Sequence, residues 1–417
     1  RTQGAESGLV MQDMRVQGYL ETSPYNTMLE PPYLFSIEGF VHLQDVIFEH
    51  IYLRTGTILQ VVGLRRTAND SRIEQLGKTS IGFYRCIFDD ITTNESVLIS
   101  LNEKDLVGST PSEINKISNV QNSEKTTKFV IEDTIFSDCA TSLLLSNKNA
   151  KGGLLNLKNK KVRFEILNSE YRNIAVKSRN MLYLAWGVYE PDDKQINILT
   201  VTETFFTNCS SVIPEMDEKV EESQITQGQQ SSPQTINQFI NIQQSNELYT
   251  NGSIIFDDLY KYGLIFINNL NKEINDSINL ATIDITSLFM SNCHSAIGSA
   301  LTVTRLTLNL QESVFVEPMC YGNMLYLNQT QTTIKNCYFN GYNNTLSDIT
   351  TGEVESISDA FCPNNPQYFS SIEYALVYIT QGSYISNNDI YKDTRIGAIR
   401  IDNAEVELKN AQFNDPW

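Results

Sequence analysis

The residue types in this sequence that most often carry chemistry are seven cysteines, three histidines and adjacent pairs of aspartates. The cysteines show neither a CxxC pair nor a Cys/His spacing typical of zinc sites. The full phosphate-binding pattern G-x-x-x-x-G-K-[ST] is absent. The G-x-S-x-G nucleophile turn is also absent, and nothing in the sequence places His42, His50 or His294 near a nucleophile. The glycine-rich calcium-binding nonapeptide is missing as well. We therefore expect no catalytic residue, no metal site and no cofactor.

Paired carboxylates are the remaining route to catalysis, because glycoside hydrolysis needs two of them facing one substrate. The adjacent pairs are Asp89–Asp90, Asp192–Asp193 and Asp257–Asp258. The first pair falls at the turn of a repeat described below, which indicates a structural role. The other two pairs lie in predicted loops.

The net charge is −18, from 31 Lys and Arg against 49 Asp and Glu, and no basic stripe occurs. Nucleic acids and anionic membranes both need clustered Lys or Arg, so neither is an expected partner. No apolar run reaches the roughly 18 residues of a membrane-spanning helix. The sequence does not begin with Met and has no signal-peptide pattern. We expect a processed form or a fragment of a longer protein, with any anchor outside it.

A short motif recurs along the chain: a small residue, any residue, an aromatic anchor, any residue, then Asn or Asp followed by Cys or Ile. The stretch "TFFTNC" at 204–209 is one copy. Apolar residues also recur five and seven positions before the anchor. The predicted anchors are Phe48, Phe88, Phe136, Tyr171, Phe206, Met290, Phe315, Phe339, Ile385 and Phe413.

The spacing within this motif predicts three short strands per repeat. Alternating apolar residues predict a half-buried strand, and the two-residue step ahead of the anchor predicts a sharp corner. A third strand such as "GNMLYLN" at 322–328 usually follows, with no amphipathic helix between strands, which predicts a solenoid. Irregular anchor spacing favours a β-helix over a leucine-rich repeat or a propeller. The long gap between Phe206 and Met290 is predicted to hide one more rung around Tyr262–Asn269.

This repeat resembles that of right-handed parallel β-helix proteins of the pectin-lyase-like superfamily. More narrowly, the F-x-N-C turns and G-x-x-L-x-L strands are similar to the repeats of bacterial polymorphic outer-membrane proteins and of large extracellular ciliate proteins. The resemblance covers Leu34 to Asp415 and implies an all-β solenoid of about ten to twelve irregular rungs. Polysaccharide hydrolases and lyases share this superfamily, but their catalytic patterns Asn-Thr-Asp, Gly-His-Gly and Arg-Ile-Lys do not occur here.

The repeat divides the chain into two parts. We predict a parallel β-helix domain over residues 34–417, preceded by an N-terminal arm or cap at 1–33 that lacks the repeat. Loop insertions at about 102–128, 213–251 and 344–371 interrupt the coil and extend from its corners. A coil has open ends, whose unpaired backbone groups must be capped or used for association.

Several cysteines occupy a repeat position that other rungs fill with isoleucine. A position that accepts both is typical of a core, where free cysteine packs as a small hydrophobe. Disulfides between nearby rungs are the alternative. The cysteines at this position are Cys139, Cys209 and Cys293, and the isoleucines are Ile51, Ile91 and Ile174. The disulfide candidates are Cys293, Cys320, Cys337 and Cys362.

Two kinds of carbohydrate contact are predicted. The first is N-glycosylation at sequons, whose number is what chance predicts in so Asn-rich a chain. The sequons are at Asn69, Asn94, Asn208, Asn251, Asn275, Asn328 and Asn343. The second is sugar binding by exposed aromatics beside acids, because ring faces stack on sugar C–H surfaces; packing of Trp186 at a corner is the alternative. The candidates are Trp186, Tyr189, Asp192 and Asp193.

These observations favour a non-enzymatic, extracellular structural or adhesion protein at the cell surface, glycosylated and self-associating end to end into a filament or coat. A carbohydrate-binding or carbohydrate-cleaving β-helix is the second hypothesis. The third is the ectodomain of a larger membrane-anchored receptor-like protein. A groove with converging carboxylates on one strand face would favour the enzyme, and outward faces of mixed polar residues would favour the scaffold. We expect glycans and further copies of this chain as partners, without nucleic acid or membrane insertion.

Overall fold

The structure is a computed structural model. It describes residues 8–18, 33–38, 40–53, 56–63, 79–93, 97–102, 127–142, 152–159, 162–177, 180–186, 196–212, 249–250, 253–254, 263–269, 281–295, 299–316, 319–320, 323–341, 375–392 and 397–414. Within these residues every regular element is a β-strand and none is a helix. Strand formation agrees with the local sequence, in which β-branched and aromatic residues alternate with polar ones.

The strands are short, and most are separated by a turn or a loop. In chain order they are β1 (Gly8–Gln17), β2 (Tyr33–Glu38), β3 (Phe40–Leu53), β4 (Thr57–Gly63), β5 (Thr79–Tyr84), β6 (Ile87–Thr93), β7 (Ile99–Asn102), β8 (Thr127–Glu132), β9 (Ile135–Ser137), β10 (Ala140–Ser142), β11 (Gly152–Asn159), β12 (Val162–Leu167), β13 (Glu170–Lys177), β14 (Asn180–Trp186), β15 (Ile196–Val212), β16 (Tyr249–Thr250), β17 (Ser253–Ile254), β18 (Gly263–Asn269), β19 (Ala281–Ser291), β20 (His294–Ser295), β21 (Ser299–Thr304), β22 (Thr307–Gln311), β23 (Val314–Val316), β24 (Met319–Cys320), β25 (Leu325–Lys335), β26 (Tyr338–Asn340), β27 (Val377–Asn387), β28 (Ile390–Lys392), β29 (Ile399–Lys409) and β30 (Gln412–Asn414).

The strands form one 28-stranded sheet, in which each strand pairs with the equivalent strand one turn later. For example, β3 pairs with β5, β5 with β8 and β8 with β12, always in parallel. The pair β16–β17 is separate and antiparallel. Parallel pairing of successive turns, with strands about 4.8 Å apart, defines a parallel β-helix. The predicted fold class, an all-β parallel β-helix solenoid, is confirmed.

Each turn of the coil, or rung, has three faces. The first face carries the two apolar positions ahead of the anchor, as Val41 and Leu43 do in β3, and the second face carries the anchor, as Phe48 does in the same strand. The third face corresponds to the G-x-x-L-x-L segments predicted to form a third strand. Its strands include β4, β7, β11, β14, β18 and β21, paired in that order.

Left-handed residues turn the chain between faces. Positive φ recurs three residues before the anchor, at the corner between the first and second faces, and again two residues after it. Asn and Asp are frequent there because they tolerate this conformation better than other non-glycine residues. The corner predicted from the two-residue step is confirmed. The residues before the anchor are Asp13, Asp45, Arg85, Asp133, Asn168, Glu203, Ser287, Glu312, Asn336, Asn388 and Asn410; those after it are His50, Asp90, Asp138, Asn173, Asn208 and Asn292.

The anchors form one interior column along the coil. The ring centroids of Phe88 and Phe136 are 4.7 Å apart, those of Tyr171 and Phe206 are 4.5 Å apart, and both pairs are stacked. Such stacking adds to the stabilisation from burial. In register, the column contains Val16, Phe48, Phe88, Phe136, Tyr171, Phe206, Met290, Phe315, Phe339, Tyr391 and Phe413. The described residues thus supply eleven members of this column.

One predicted anchor, Ile385, is wrong. Tyr391 pairs in register with Phe339 and Phe413, so Tyr391 occupies the anchor column in this rung. Ile385 lies on the first face, between two buried residues, with its side chain on the outer side of the strand. Ser383, two residues earlier, imitates the small residue of the motif and produces the false match.

The extra rung predicted around Tyr262–Asn269 is also wrong. β15 pairs directly with β19 along both the first and second faces, so Phe206 and Met290 are neighbours in the anchor column. β18 is the third face of the rung that contains Phe206, and it lies between β14 and β21. Apart from β16–β17 and β18, the gap between β15 and β19 lies outside the described residues.

The predicted N-terminal arm or cap contributes a rung. β1 pairs in parallel with β3, with Leu9 opposite Val41 and Val16 opposite Phe48. It keeps the repeat spacing, but Val replaces the aromatic anchor and Met14 replaces the small residue, which hides the motif in the sequence. β1 therefore lies directly over the first and second faces of the rung that contains Phe48. The predicted insertions fall outside the described residues over 103–126, 213–248 and 342–374.

Tyr171→Phe is expected to raise the free energy of unfolding by about 1 kcal/mol, because it removes a buried hydroxyl that pays a desolvation penalty. The Oη atom of Tyr171 has no hydrogen-bond partner among the described residues. Tyr391→Phe is the matched control, because the Tyr391 hydroxyl lies 2.6 Å from that of Tyr384. Tyr391→Phe should lower the free energy of unfolding, because it removes this hydrogen bond. Chemical denaturation measures both, and a loss of stability in Tyr171→Phe would contradict the prediction.

Candidate functional site

The cysteine position of the repeat lies inside the coil. Cys139, Cys209 and Cys293 are buried free thiols. Cys209 is in register with Ile174 on one side and with Cys293 on the other. Burial raises the pKa of the Cys139 thiol to about 12 and also raises the pKa of the Cys209 thiol. Cys139 and Cys209 therefore stay protonated and are poor nucleophiles. The burial of all three side chains agrees with the predicted packing in the core.

The disulfides predicted for Cys293 and Cys337 are not formed, since both are free thiols in the structure. The two residues belong to different columns, because Cys293 lies three residues after its anchor and Cys337 two residues before its own. The Sγ of Cys293 lies 3.3 Å from the carbonyl oxygen of Phe206, inside the coil. The other candidates, whose side chains fall outside the described residues, are Cys320 and Cys362.

Of the predicted glycosylation sites, the structure describes Asn208 and Asn328. Asn208 lies at a left-handed corner, as its place in the motif predicts. Asn328 lies in β25, where its Oδ1 accepts a hydrogen bond of 3.1 Å from Thr380. Glycosylation at every sequon stays a prediction. The sequons outside the described residues are Asn69, Asn94, Asn251, Asn275 and Asn343.

Asn208 belongs to a ladder of exposed corner side chains. The Nδ2 of Asn173 donates to Asp138 at 3.1 Å, and the Nδ2 of Asn208 donates to Asn173 at 3.1 Å. Asn292 donates to Asn208 in the same way. An amide nitrogen carries two hydrogens, so a glycan on Asn208 would leave one for the ladder contact. The ladder ties successive corners together without any ligand.

The aspartate pair Asp89–Asp90 makes contacts of the same structural kind. Ser137 donates a hydrogen bond to Asp89, and the Oδ2 of Asp90 lies 2.7 Å from the Nδ1 of His50. The hydrogen bond with Asp90 raises the pKa of the exposed His50 ring. Each contact joins neighbouring rungs, which agrees with the structural role predicted for this pair. The ring of His42 packs against Tyr84, at 5.2 Å between centroids.

Of the four predicted sugar-contact residues, the structure describes only the backbone of Trp186. Trp186 is the last residue of β14 on the third face, opposite Asn269 of β18. Its side chain lies outside the described residues, as do Tyr189, Asp192 and Asp193. Sugar binding by these residues stays a prediction.

A polar cluster on the outside of the first face brings two carboxylates into one column. Glu165 is in register with Thr200, and Thr200 with Asp284, so the carboxylates are two rungs apart, roughly 10 Å along the coil. The Oε1 of Glu165 lies 2.9 Å from the Nζ of Lys128. Asp284 accepts a hydrogen bond of 2.8 Å from Asn309. Each carboxylate is therefore paired with a side chain of a neighbouring rung, which is a structural contact.

A second polar cluster is buried inside the coil, where sequence reasoning missed it. Asp389 is fully buried and occupies the small position of the motif, two residues before Tyr391. Its Oδ1 accepts the backbone N–H of Cys337 at 2.7 Å, and its Oδ2 accepts the hydroxyl of Ser386. The hydroxyls of Tyr391 and Tyr384 are 2.6 Å apart. The signal lies in "NDIYKD" at 388–393, which fits the repeat once Asp is accepted at the small position.

The carboxyl group of Asp389 is held in an unusual environment for an acid. Burial raises its pKa, and hydrogen bonds from Ser386 and from backbone amides oppose that change. Burial also raises the pKa of the Tyr384 and Tyr391 hydroxyls, which keeps them protonated as donors. The cluster replaces apolar packing in this rung with a closed set of hydrogen bonds. It is enclosed in the interior, so we assign it to stability and not to ligand binding.

The last described rung leaves its interior columns open. Phe413 continues the anchor column, 5.1 Å from Tyr391, and yet 41% of its surface is exposed. Leu408 and Ile401 continue the columns of the first and third faces and are also exposed. No described strand pairs with the outer edge of β29 or β30. This apolar surface of the last described rung, formed by Ile401, Leu408 and Phe413, is called the apolar edge below.

The described residues contain no group of three or more His, Cys, Asp or Glu side chains able to hold a metal ion. They also contain no helix of the length and apolarity that crossing a membrane requires. Two surfaces of the described residues are considered below: the apolar edge, and the column of Glu165, Thr200 and Asp284 on the first face, called the polar column. No protein-family model and no curated protein matches this sequence.

Proposed function

We propose that this chain is a non-enzymatic extracellular structural or adhesion protein whose copies associate end to end. One observation carries the proposal: the apolar edge exposes three large side chains that continue the interior columns of the coil, and among the described residues no strand pairs with the outer side of β29 or β30. Unpaired edges with apolar side chains are strong sites for pairing with another chain. A contact between opposite ends of identical copies does not close, so repetition yields a filament.

The outward surfaces support a scaffold role. Corner ladders such as Asn173–Asn208–Asn292 and ion pairs such as Arg85–Asp45 join neighbouring rungs along the outside of the coil. These contacts use polar side chains for cohesion of the coil, as expected of a stiff rod. The extracellular and glycosylated parts of the proposal rest on the sequons and on the resemblance of the repeat to those of extracellular proteins. Release of N-glycans from protein secreted by a eukaryotic host, followed by mass measurement, tests them.

Phe413→Arg is expected to raise the concentration needed for association by about tenfold, equivalent to about 1.4 kcal/mol. The substitution places a charge within the apolar edge, where burial against a second copy would be costly. Sedimentation velocity over a range of concentrations measures the effect.

Phe205→Arg is the matched control for this variant. Phe205 is similarly exposed, at 45%, but it lies on the outward side of the second face in the middle of the coil. Its replacement should leave end-to-end association unchanged. A wild-type chain that stays monomeric at all concentrations, or equal effects of the two variants, would overturn the proposal.

The polar column on the first face supports a second candidate, a carbohydrate-binding or carbohydrate-cleaving protein. Inverting glycosidases place two carboxylates about 6.5–9.5 Å apart, near the rough separation of Glu165 and Asp284. Release of reducing ends from a panel of acidic and neutral polysaccharides tests this candidate. Activity that is lost in both Glu165→Gln and Asp284→Asn would favour it over the scaffold.

A further inference from the structure

The interior column three residues after the anchors contains two cysteines on adjacent rungs, Cys209 and Cys293. The strand register on both sides of these residues places them opposite each other. Both are free thiols whose side chains are buried inside the coil, at 0% and 2% exposure. Burial, and next a hydrogen bond with the thiol of Cys293, raise the pKa of the Cys209 thiol. The two thiols are therefore in contact, and they are called the thiol pair below.

The other buried cysteines are not placed in this way. Cys139 lies in the same column, but isoleucines fill the rungs on both sides of it. One of them, Ile174, lies between Cys139 and Cys209, which puts these two cysteines two rungs apart, roughly 10 Å along the coil. Cys86 and Cys337 belong to the column two residues before the anchors, where among the described residues neither has a cysteine on an adjacent rung. The register thus singles out the thiol pair.

The backbone geometry of the thiol pair suits a disulfide. Opposed residues on neighbouring strands have Cα atoms about 4.8 Å apart, inside the range of about 4.4–6.8 Å that a disulfide spans. The Sγ of Cys293 points towards the rung of Cys209, where it lies 3.3 Å from the carbonyl oxygen of Phe206. The Sγ of Cys209 lies 3.4 Å from the carbonyl oxygen of Tyr171, one rung earlier. Rotation of the Cys209 side chain towards Cys293 therefore gives up only weak S–H contacts.

The thiol pair lies at a place in the coil where a covalent link would have a large effect. The two rungs are adjacent, although a long stretch of chain that includes β18 separates them in sequence. Met290 interrupts the column of aromatic anchors here, between Phe206 and Phe315. An apolar cavity is lined by Phe206 and, from the next rung, by Leu288. A disulfide that closes a long loop restricts the unfolded chain most, so it would stabilise the contact between these rungs.

We infer that Cys209 and Cys293 are a disulfide site, at which oxidation joins the two sulfur atoms and links the rung of Phe206 to the rung of Met290. The inference goes beyond the proposed function, because it requires no contact between copies. Its oxidant is a small-molecule disulfide. An extracellular location, which is part of the proposed function, would supply oxidising conditions. The structure describes the reduced form of this site.

Two exchange steps form the bond. The thiolate of one cysteine attacks a sulfur of oxidised glutathione, which gives a mixed disulfide and releases one glutathione thiolate. The thiolate of the other cysteine attacks the cysteine sulfur of the mixed disulfide and releases the second glutathione. The protein thiols thus lose two electrons and two protons, and the glutathione disulfide is reduced to two thiols. Because burial raises the pKa of the Cys209 thiol, these steps occur while the two rungs are apart, before closure or during transient opening.

Peptide mapping tests the pairing directly. The full chain is kept with oxidised glutathione in urea below its unfolding midpoint, which opens the rungs transiently, until its thiol content is constant; a second sample receives dithiothreitol. Remaining thiols are blocked with iodoacetamide, and unreduced peptides are identified by mass spectrometry. We expect a peptide pair linked through Cys209 and Cys293 after oxidation, and alkylated cysteines in the reduced sample. Alkylated Cys209 and Cys293 in the oxidised sample, or a link from either of them to another cysteine, would overturn the inference.

Unfolding in urea tests the link between the rungs. Oxidation should lower the unfolding equilibrium constant of the wild-type chain by about a hundredfold, as is typical of a disulfide. Cys209→Ala should abolish this difference. Cys139→Ala is the matched control, because it removes a buried thiol of the same column that has isoleucines on both sides, and it should keep the difference. Each chain is compared with its own reduced form, so losses of packing cancel. No difference in the wild type, or the same difference in Cys209→Ala, would overturn the link.

Discussion

Phe136→Ala is expected to lower the free energy of unfolding by about 3–5 kcal/mol, the range found for large-to-small changes in protein cores. Phe136 is fully buried, and its ring stacks on Phe88 at 4.7 Å and on Tyr171 at 5.0 Å. Its loss removes contacts with two rungs. Strand pairing fixes the spacing of these rungs, so the cavity cannot close by collapse. Chemical denaturation followed by far-UV circular dichroism measures the change.

Phe205→Ala provides the control for this prediction. It deletes the same side chain from a neighbouring part of the second face, but from the outward side, where Phe205 is partly exposed. We expect a change below about 1 kcal/mol, as is usual for surface positions. Comparable losses in the two variants would show that the anchor column does not carry the stability assigned to it.

Asp389→Asn is expected to stabilise the protein at neutral pH and to have little effect under acidic conditions. Burial raises the pKa of Asp389 in the folded chain above its value in the unfolded chain. Between these two values the folded protein holds the extra proton, so the contribution of Asp389 to stability falls as the pH rises. Below the unfolded pKa that contribution is fully present. Asparagine stays neutral and keeps an oxygen for the N–H of Cys337.

The measurement is the difference in unfolding free energy between Asp389→Asn and the wild type across the pH range. This difference should grow as the pH rises from the unfolded pKa of Asp and then level off above the folded pKa. Asp45→Asn is a control of opposite sign, because the hydrogen bond from Arg85 lowers the pKa of Asp45. Relative to the wild type, Asp45→Asn should lose unfolding free energy as the pH rises. A flat curve for Asp389→Asn would contradict the buried, proton-retaining carboxyl.

Much of the fold could be predicted because the repeat is local. Phe83 and Ile81 are the apolar residues five and seven positions before the anchor Phe88. Both lie in one strand and point to the same side. The corner that follows needs a left-handed residue, which here is Arg85. The reading of Cys139 as a packing residue needed only the observation that Ile91 fills the same position. None of these inferences depends on distant contacts.

The errors arose where the order of rungs depends on pairing between distant strands. The neighbours Phe206 and Met290 are separated in sequence by a long stretch that contains β18, and the sequence does not tell whether β18 opens a rung or completes one. The rung with Tyr391 was misaligned because Asp389 breaks the preference for small neutral residues. Its polarity is tolerated only because Ser386 and the N–H of Cys337 satisfy it.

By itself, the sequence determined the class of structure: a coil of short strands with inward aromatic anchors and left-handed corners. It could do so because strand alternation and corner geometry are set by residues within one repeat. Only the tertiary structure decided which rungs are neighbours, that β1 is a rung, and that Phe413 is exposed in the last described rung. These depend on parallel pairing between segments far apart in the chain, whose free energy comes from mutual burial and not from either segment alone.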